Sequence, residues 1–271
     1  MGLTRTEKER TYMERTWFRR LAPPVDGDVR LVCFPHAGGA AGYYAPLARH
    51  LAPGAEAVGV QYPGRQDRRT EPGVRDIVEL SGMVAHALLR QEPDRPYAFF
   101  GHSMGALVAY ETVRHLRRTE APGPVRLFVS GRSAPTVGPT HADRHEDEEA
   151  LIAHVRELGG TADAVFDDPD LRAMVMPALR ADYRALRSYS WVPGGPLEVP
   201  MTLMVGDADP VAPVEQVRRW GELSTLPPRM EVFPGGHFFI DEALAKVAEL
   251  VVEDLGARLP GQAERVGVPH E

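Results

Sequence analysis

Residues 97–105 read Tyr97-Ala-Phe-Phe-Gly101-His-Ser103-Met-Gly105: an apolar run passes straight into Gly-x-Ser-x-Gly, and an amphipathic stretch follows. A serine hydroxyl is a poor nucleophile until a tight strand-to-helix turn lifts its oxygen clear of the backbone, beside a base. Such a turn strains the serine and crowds its neighbours, so the positions two before and two after must be tiny. Gly101 and Gly105 meet that demand. In a chain with 26 glycines the five-residue pattern alone is a moderate signal, and its bland reading is an ordinary glycine-rich βα turn. The strand before it and the helix after it favour a nucleophile.

Working outward, short β-branched and aromatic runs alternate with helical patterns. Strands are expected at Val29–Pro35, Ala57–Tyr62, Tyr97–Gly101, Val125–Ser130, Met201–Gly206 and Met230–Phe233. Helices are expected at Tyr43–Leu51, Val74–Arg90, Ala106–Arg118, Val214–Leu223 and Glu242–Leu255; in the second, Ile77, Leu80, Val84 and Leu88 recur at helical spacing. This alternation predicts the α/β class, with a mostly parallel sheet flanked by helices on both faces. It breaks between Ser130 and Met201. A structureless loop of that length is uncommon in a compact domain, so 131–200 is expected to be an inserted helical lid, with helices over Ala150–Leu158 and Leu171–Tyr189. Met174, Met176, Leu179 and Tyr183 are its candidates for an acyl-chain surface, although such a stripe more often packs plainly against its domain. Residues 1–16 and 260–271 lack a useful apolar period and are expected to be flexible extensions of one domain over 17–259.

The composition, 43% hydrophobic and 25% charged, is that of a globular chain with a sizeable core. A net charge of −7 offers no broad basic field, which argues against nucleic acid as a partner. No apolar run is long enough to span a bilayer, and the charged N-terminus reads as no secretion signal, so no membrane association and a cytoplasmic location are expected. The single Cys33, in an apolar run, reads as a buried small hydrophobe. No exposed apolar heptad suggests self-association, and a monomer is expected.

A nucleophilic serine needs a general base, a group to orient it, and donors for the developing oxyanion. On a parallel sheet these converge at the carboxyl ends of strands, in the chain order serine, acid, histidine. Of ten histidines only His237 and His270 follow both Ser103 and the Met201–Gly206 strand, and His270 is the penultimate residue of a polar tail. His237, in Phe233-Pro-Gly-Gly-His237-Phe-Phe, is the expected base. Asp207 and Asp209 both follow the Met201–Gly206 strand. The position farther past the strand end favours Asp209 as the acid, with Asp207 free to stiffen the loop by bonding its backbone. The backbone N–H of Met104 and one from the loop Phe34-Pro-His-Ala-Gly-Gly-Ala40 are the expected oxyanion donors, with Ala37 preferred. A tight turn or a phosphate nest is the alternative for Gly38 and Gly39, but no Walker spacing is present. No metal or diffusible cofactor is required by this chemistry.

The residues Trp17-Phe18, Leu31-Val-Cys-Phe-Pro-His-Ala-Gly-Gly-Ala40, Gln61-Tyr-Pro-Gly-Arg-Gln-Asp-Arg68, Phe100-Gly-His-Ser-Met-Gly-Ala106, Leu127-Phe-Val-Ser-Gly131, Leu179-Arg-Ala-Asp-Tyr183 and Gly236-His-Phe-Phe239 carry a resemblance. The chain resembles the type II thioesterases, α/β-hydrolases that accompany modular polyketide synthases and non-ribosomal peptide synthetases. The resemblance spans most of Trp17 to Leu259 and implies an α/β-hydrolase fold with a lid between the sixth and seventh strands. It implies a Ser103, Asp209, His237 triad. It also implies hydrolysis of acyl thioesters on the 4′-phosphopantetheine arm of acyl or peptidyl carrier proteins, clearing short or aberrant acyl units. Docking of such a carrier on an acidic chain would rest on local arginines or apolar contact rather than net charge. Arg65, Arg68 and Arg69 are one candidate cluster, with a solvated loop and some packing role for Arg65 as the equally weighted bland reading. A carboxylesterase unconnected with carriers is the competing enzyme reading. A non-catalytic binding scaffold is the competing reading outside enzymes, disfavoured because nucleophile, acid, base and both glycine loops are all present.

Overall fold

The computed structural model of the chain describes residues 17–23, 29–52, 54–91, 95–138, 147–160 and 163–256. The extensions expected at 1–16 and 260–271 lie outside the described residues. Seven strands form one sheet in the order β1-β3-β2-β4-β5-β6-β7. They are β1 (Phe18–Arg20), β2 (Arg30–Phe34), β3 (Glu56–Val60), β4 (Tyr97–His102), β5 (Leu127–Ser130), β6 (Met201–Gly206) and β7 (Arg229–Phe233). All neighbours pair in parallel except β1, which runs antiparallel along β3 with Phe18 opposite Val60. This is the mostly parallel, helix-flanked sheet expected of an α/β-hydrolase.

The central strands read as unbroken apolar runs because both faces are covered; every residue of β4, β5 and β6 is buried. On one face pack α2 (Ile77–Leu89) and α3 (Met104–Arg118), with Leu80, Val84, Leu107 and Val113 against Phe99 and Val129. On the other, α1 (Ala45–Leu51) and α9 (Leu244–Gly256) cover Leu31, Phe100 and Phe128. Helix α2 starts where the Asp76 carboxylate accepts the Glu79 N–H at 2.8 Å.

One expected helix is segmented: Val214–Leu223 is α7 (Val214–Arg218) followed by a 3-10 turn, whereas the expected Glu242–Leu255 is α9, preceded by the short α8 (Phe239–Glu242). Strand β1 was not expected: it has three residues, two of them arginines, too short and too polar for a period of two to register.

The insertion leaves the sheet after β5 and returns at β6. It carries α4 (Glu148–Leu158), α5 (Asp163–Asp167) and α6 (Pro169–Ser188). Asp147 caps α4 by accepting the Ala150 N–H, Asp168 caps α6 by accepting those of Asp170 and Leu171, and Gly159 closes α4 in the left-handed region at φ 81°. Leu151, Ile152, Val155, Phe166, Met176, Leu179 and Tyr183 form its own apolar cluster, against which Ala37 packs. Among the described residues no helix is long and apolar enough to cross a membrane.

Candidate active site

Ser103 sits between β4 and α3 with φ 54° and ψ −119°, a conformation costly for any residue with a Cβ. It is the N-cap of α3, yet its side chain makes no capping bond, unlike Asp76, Asp147 and Asp168, which cap α2, α4 and α6. The hydroxyl is therefore not spent on the helix end. The flanking glycines are required by space. A Cβ on Gly101 would lie 2.4 Å from Gly105 O, and one on Gly105 only 1.9 Å from Phe34 O, the end of β2. Gly105→Ala is therefore expected to destabilise the fold by about 3 kcal/mol or more, since backbone must give way. Urea denaturation measures it, and a near-parental midpoint would contradict this packing.

His237 follows β7 and Asp209 follows β6. The imidazole Nδ1 lies 2.8 Å from Asp209 Oδ2, and His237 is only 2% exposed. The carboxylate is held in turn: its Oδ1 accepts the N–H groups of Val211 at 2.9 Å and Ala212 at 3.1 Å. With Asp209 as acceptor, Nδ1 carries the proton and Nε2 keeps its lone pair. Asp207 has the other job, accepting the Gly235 N–H at 2.9 Å and tying the β6 loop to the β7 loop. Thus His237 and Asp209 are joined. Among the described residues no hydrogen bond links Ser103 Oγ to His237, although the His102 and His237 rings lie 5.0 Å apart.

Of the three N–H groups that follow His36, Gly38 donates to Asp182 Oδ2 at 2.8 Å and Gly39 to His36 O at 2.9 Å. Ala37 is left as the unengaged donor among the described residues. Met104, the first residue of α3, has an N–H without an acceptor inside the helix. The two expected oxyanion donors thus stand on adjacent strands' ends, β2 and β4.

The insertion reaches the site at two points. Leu179 lies over Gly38, where a Cβ would meet Leu179 Cδ1 at 2.8 Å, and Gly160 lies on the Phe238 ring beside His237, where a Cβ would fall 2.0 Å away. Met176, Leu179 and Tyr183 are buried in the insertion's cluster, whereas Met174 is 62% exposed and does not join them. Met174 and Met176 are two residues apart, about 200° around a helix, so they cannot share a face. The proposed docking arginines also divide. Arg65 is buried against Asp182, and Arg68 is buried against Glu71 with its guanidinium 4.2 Å over the Trp17 ring. Only Arg69 is exposed. Asp182, which neither composition nor spacing singled out, is the polar group that bonds to the Gly38 turn.

Two further histidines border the site. Burial pushes His36 from 6.5 down to about 3, with repulsion from His237 and Arg65 adding to it. His102, whose Nδ1 lies 3.0 Å from Ser130 Oγ, is held well below its usual value, by burial first and then by His237 and His36. The unfolded chain protonates both near pH 6.5 and the folded chain does not. Below that pH the unfolded state binds more protons, so stability falls on acidification by up to about 1.4 kcal/mol per pH unit for each ring. Urea denaturation across mildly acid pH is expected to show this loss; stability that rose on acidification would contradict the buried neutral rings.

Residues 29–257 match a family described as a thioesterase domain. A probable cadicidin biosynthesis thioesterase of Streptomyces griseus is 43% identical over 239 residues, 88% of this chain and 66% of that protein. Thioesterase PikA5 of Streptomyces venezuelae is 39% identical over 239 residues, 88% of this chain and 85% of its own length. The solved structure of the type II thioesterase BorB, from the borrelidin biosynthetic cluster, superimposes with a TM-score of 0.80 at 39% identity. That match covers 89% of this chain and 98% of BorB.

Proposed function

The chain belongs to the thioesterases, as a type II editing enzyme of polyketide and non-ribosomal peptide pathways, and from that premise we propose that Ser103, His237 and Asp209 hydrolyse acyl thioesters borne on carrier proteins. The observations that carry this assignment are the His237–Asp209 hydrogen bond at 2.8 Å and a serine strained at φ 54° with no capping duty.

In the proposed reaction His237 Nε2 takes the Ser103 proton as Oγ attacks the thioester carbonyl, and Asp209 holds the imidazole tautomer and stabilises the imidazolium. The Ala37 and Met104 N–H groups receive the oxyanion, each worth about 3 kcal/mol of barrier. Collapse expels the thiolate, which takes the proton from His237 and leaves acyl-Ser103. Water then gives its proton to His237 while attacking the ester. Collapse releases the carboxylic acid and returns the proton to Oγ. A thiol with a pKa of roughly 8.5 departs far more readily than an amine would, so a modest acid suffices for the first step.

The finer reading concerns the partner. A cleft of about 470 Å³ between residues 64–75 and α6 is lined by Arg69, Arg75, Arg180 and Arg184. Its one carboxylate, Glu71, is paired with Arg68, while Arg180 pairs with Glu148. On a chain of net charge −7 this local excess of arginine supports docking of a carrier's acidic surface there. Hydrolysis of one acyl group on a carrier protein and on free pantetheine tests both levels. Arg69→Glu with Arg184→Glu is expected to raise KM for the carrier-borne substrate roughly tenfold and leave the pantetheine substrate unchanged. Equal effects on both substrates would contradict docking at this cleft.

A further inference from the structure

We infer that Arg65 and Asp182 are positioning residues for the oxyanion loop: a buried ion pair that fixes the Ala37 N–H by gripping the two residues after it. The inference rests on the role proposed above for Ala37. Arg65 lies in the loop after β3, Asp182 on α6 of the insertion, and Gly38 and Gly39 in the loop after β2, so the contact joins three separate segments. The pair is bidentate, with Nη1 to Oδ2 and Nη2 to Oδ1 both 2.8 Å, and the two side chains are 5% and 1% exposed. Each partner also holds the loop backbone. Asp182 Oδ2 accepts the Gly38 N–H at 2.8 Å, and Arg65 Nη1 donates to Gly39 O at 2.9 Å. Gly38 is held at φ 75°, a left-handed turn that directs the preceding peptide.

Stability alone is a poor reason for such a pair. Taking two charges out of water is expensive, and apolar residues of similar volume often serve the fold as well or better. What an apolar pair lacks is a donor for Gly39 O and an acceptor for Gly38 N–H. The pairing also matters electrically, because Asp182 without Arg65 would be a buried negative charge bonded to Gly38, the residue next to the proposed oxyanion donor Ala37. Gln61 adds a third grip, its Oε1 accepting the Ala41 N–H at 3.0 Å and its Nε2 donating to Arg65 O at 3.2 Å. Because Asp182 sits on α6 one turn from Leu179, α6 serves as a fixed wall of the site.

The test is the double variant Arg65→Leu/Asp182→Leu beside Asp182→Asn, assayed with an acyl-pantetheine thioester and followed by thermal melting. The double variant removes both charges and is expected to fold with a melting temperature near the parent's. Its kcat is expected to fall roughly 10- to 100-fold with KM little changed, because a loosened donor loses transition-state contact rather than substrate binding. Asp182→Asn keeps an oxygen for Gly38 N–H and is expected to lose less kcat than the double variant. A folded double variant with parental kcat would overturn the inference, as would a loss confined to KM. If the double variant failed to fold, Asp182→Asn would decide, parental kcat and KM overturning it and a kcat-only loss upholding it. A parent enzyme whose turnover did not depend on Ser103 would remove the catalytic reading on which the pair's role rests, whereas parental kcat in the double variant removes the pair's role alone.

Discussion

Ser103→Ala is expected to leave the fold intact and to cut thioester turnover by roughly a millionfold, the loss seen when a serine hydrolase is deprived of its nucleophile. The fold survives because Ser103 Oγ caps nothing: the turn is built by backbone, with Ser103 N–H donating to Ser130 O at 2.8 Å and Ala106 N–H to Ser103 O at 3.1 Å. Alanine keeps the Cβ and hence the strain of φ 54°. Ser103→Gly relieves it and is expected to be as inactive as the alanine variant yet more stable than the parent, by about 1 kcal/mol. That combination separates a residue kept for chemistry from one kept for packing. Steady-state hydrolysis and urea denaturation on the same three proteins measure both effects. An alanine variant with ordinary turnover would remove the mechanism, and a less stable glycine variant would remove the strain argument.

The second large effect divides two aspartates that lie two residues apart. Asp209→Asn is expected to lower kcat about ten-thousandfold, because an amide can present its NH₂ to Nδ1 and hold the imidazole in the tautomer that cannot accept the serine proton. The loop should persist, since the amide oxygen can still accept the Val211 and Ala212 N–H groups that Oδ1 now holds. Asp207→Asn keeps an acceptor for Gly235 N–H and touches no reacting group, so its turnover should stay close to the parent's. Reversal of the two outcomes would place the acid at 207 and break the assignment.

Much of the proposed site is legible along the chain because the residues assigned to it are tied to local punctuation. An apolar run ended by Gly-x-Ser-x-Gly located the end of β4. The histidine after β7 was isolated by chain order, and the offset of Asp209 past β6 distinguished it from Asp207. What the chain concealed depends on burial brought about by distant partners. Arg65 and Arg68 sit in a polar stretch that reads as a solvated loop, yet Asp182, 117 residues further on, draws Arg65 inside. Asp182 itself looks like one polar residue in an amphipathic helix until α6 is laid against the Gly38 turn. Met174 and Met176 were grouped by composition when helical geometry separates them. The short antiparallel β1 is defined by its pairing with β3 and not by its own three side chains.

The most direct measurement is intact-protein and peptide mass spectrometry of the enzyme quenched during turnover of an acyl thioester. With Ser103, His237 and Asp209 acting as proposed, the acyl mass appears on the peptide containing Ser103 and is absent from Ser103→Ala. An acyl group carried instead by another side chain, such as Cys33 or Ser130, with Ser103 unmodified and turnover undiminished in the alanine variant, would contradict it.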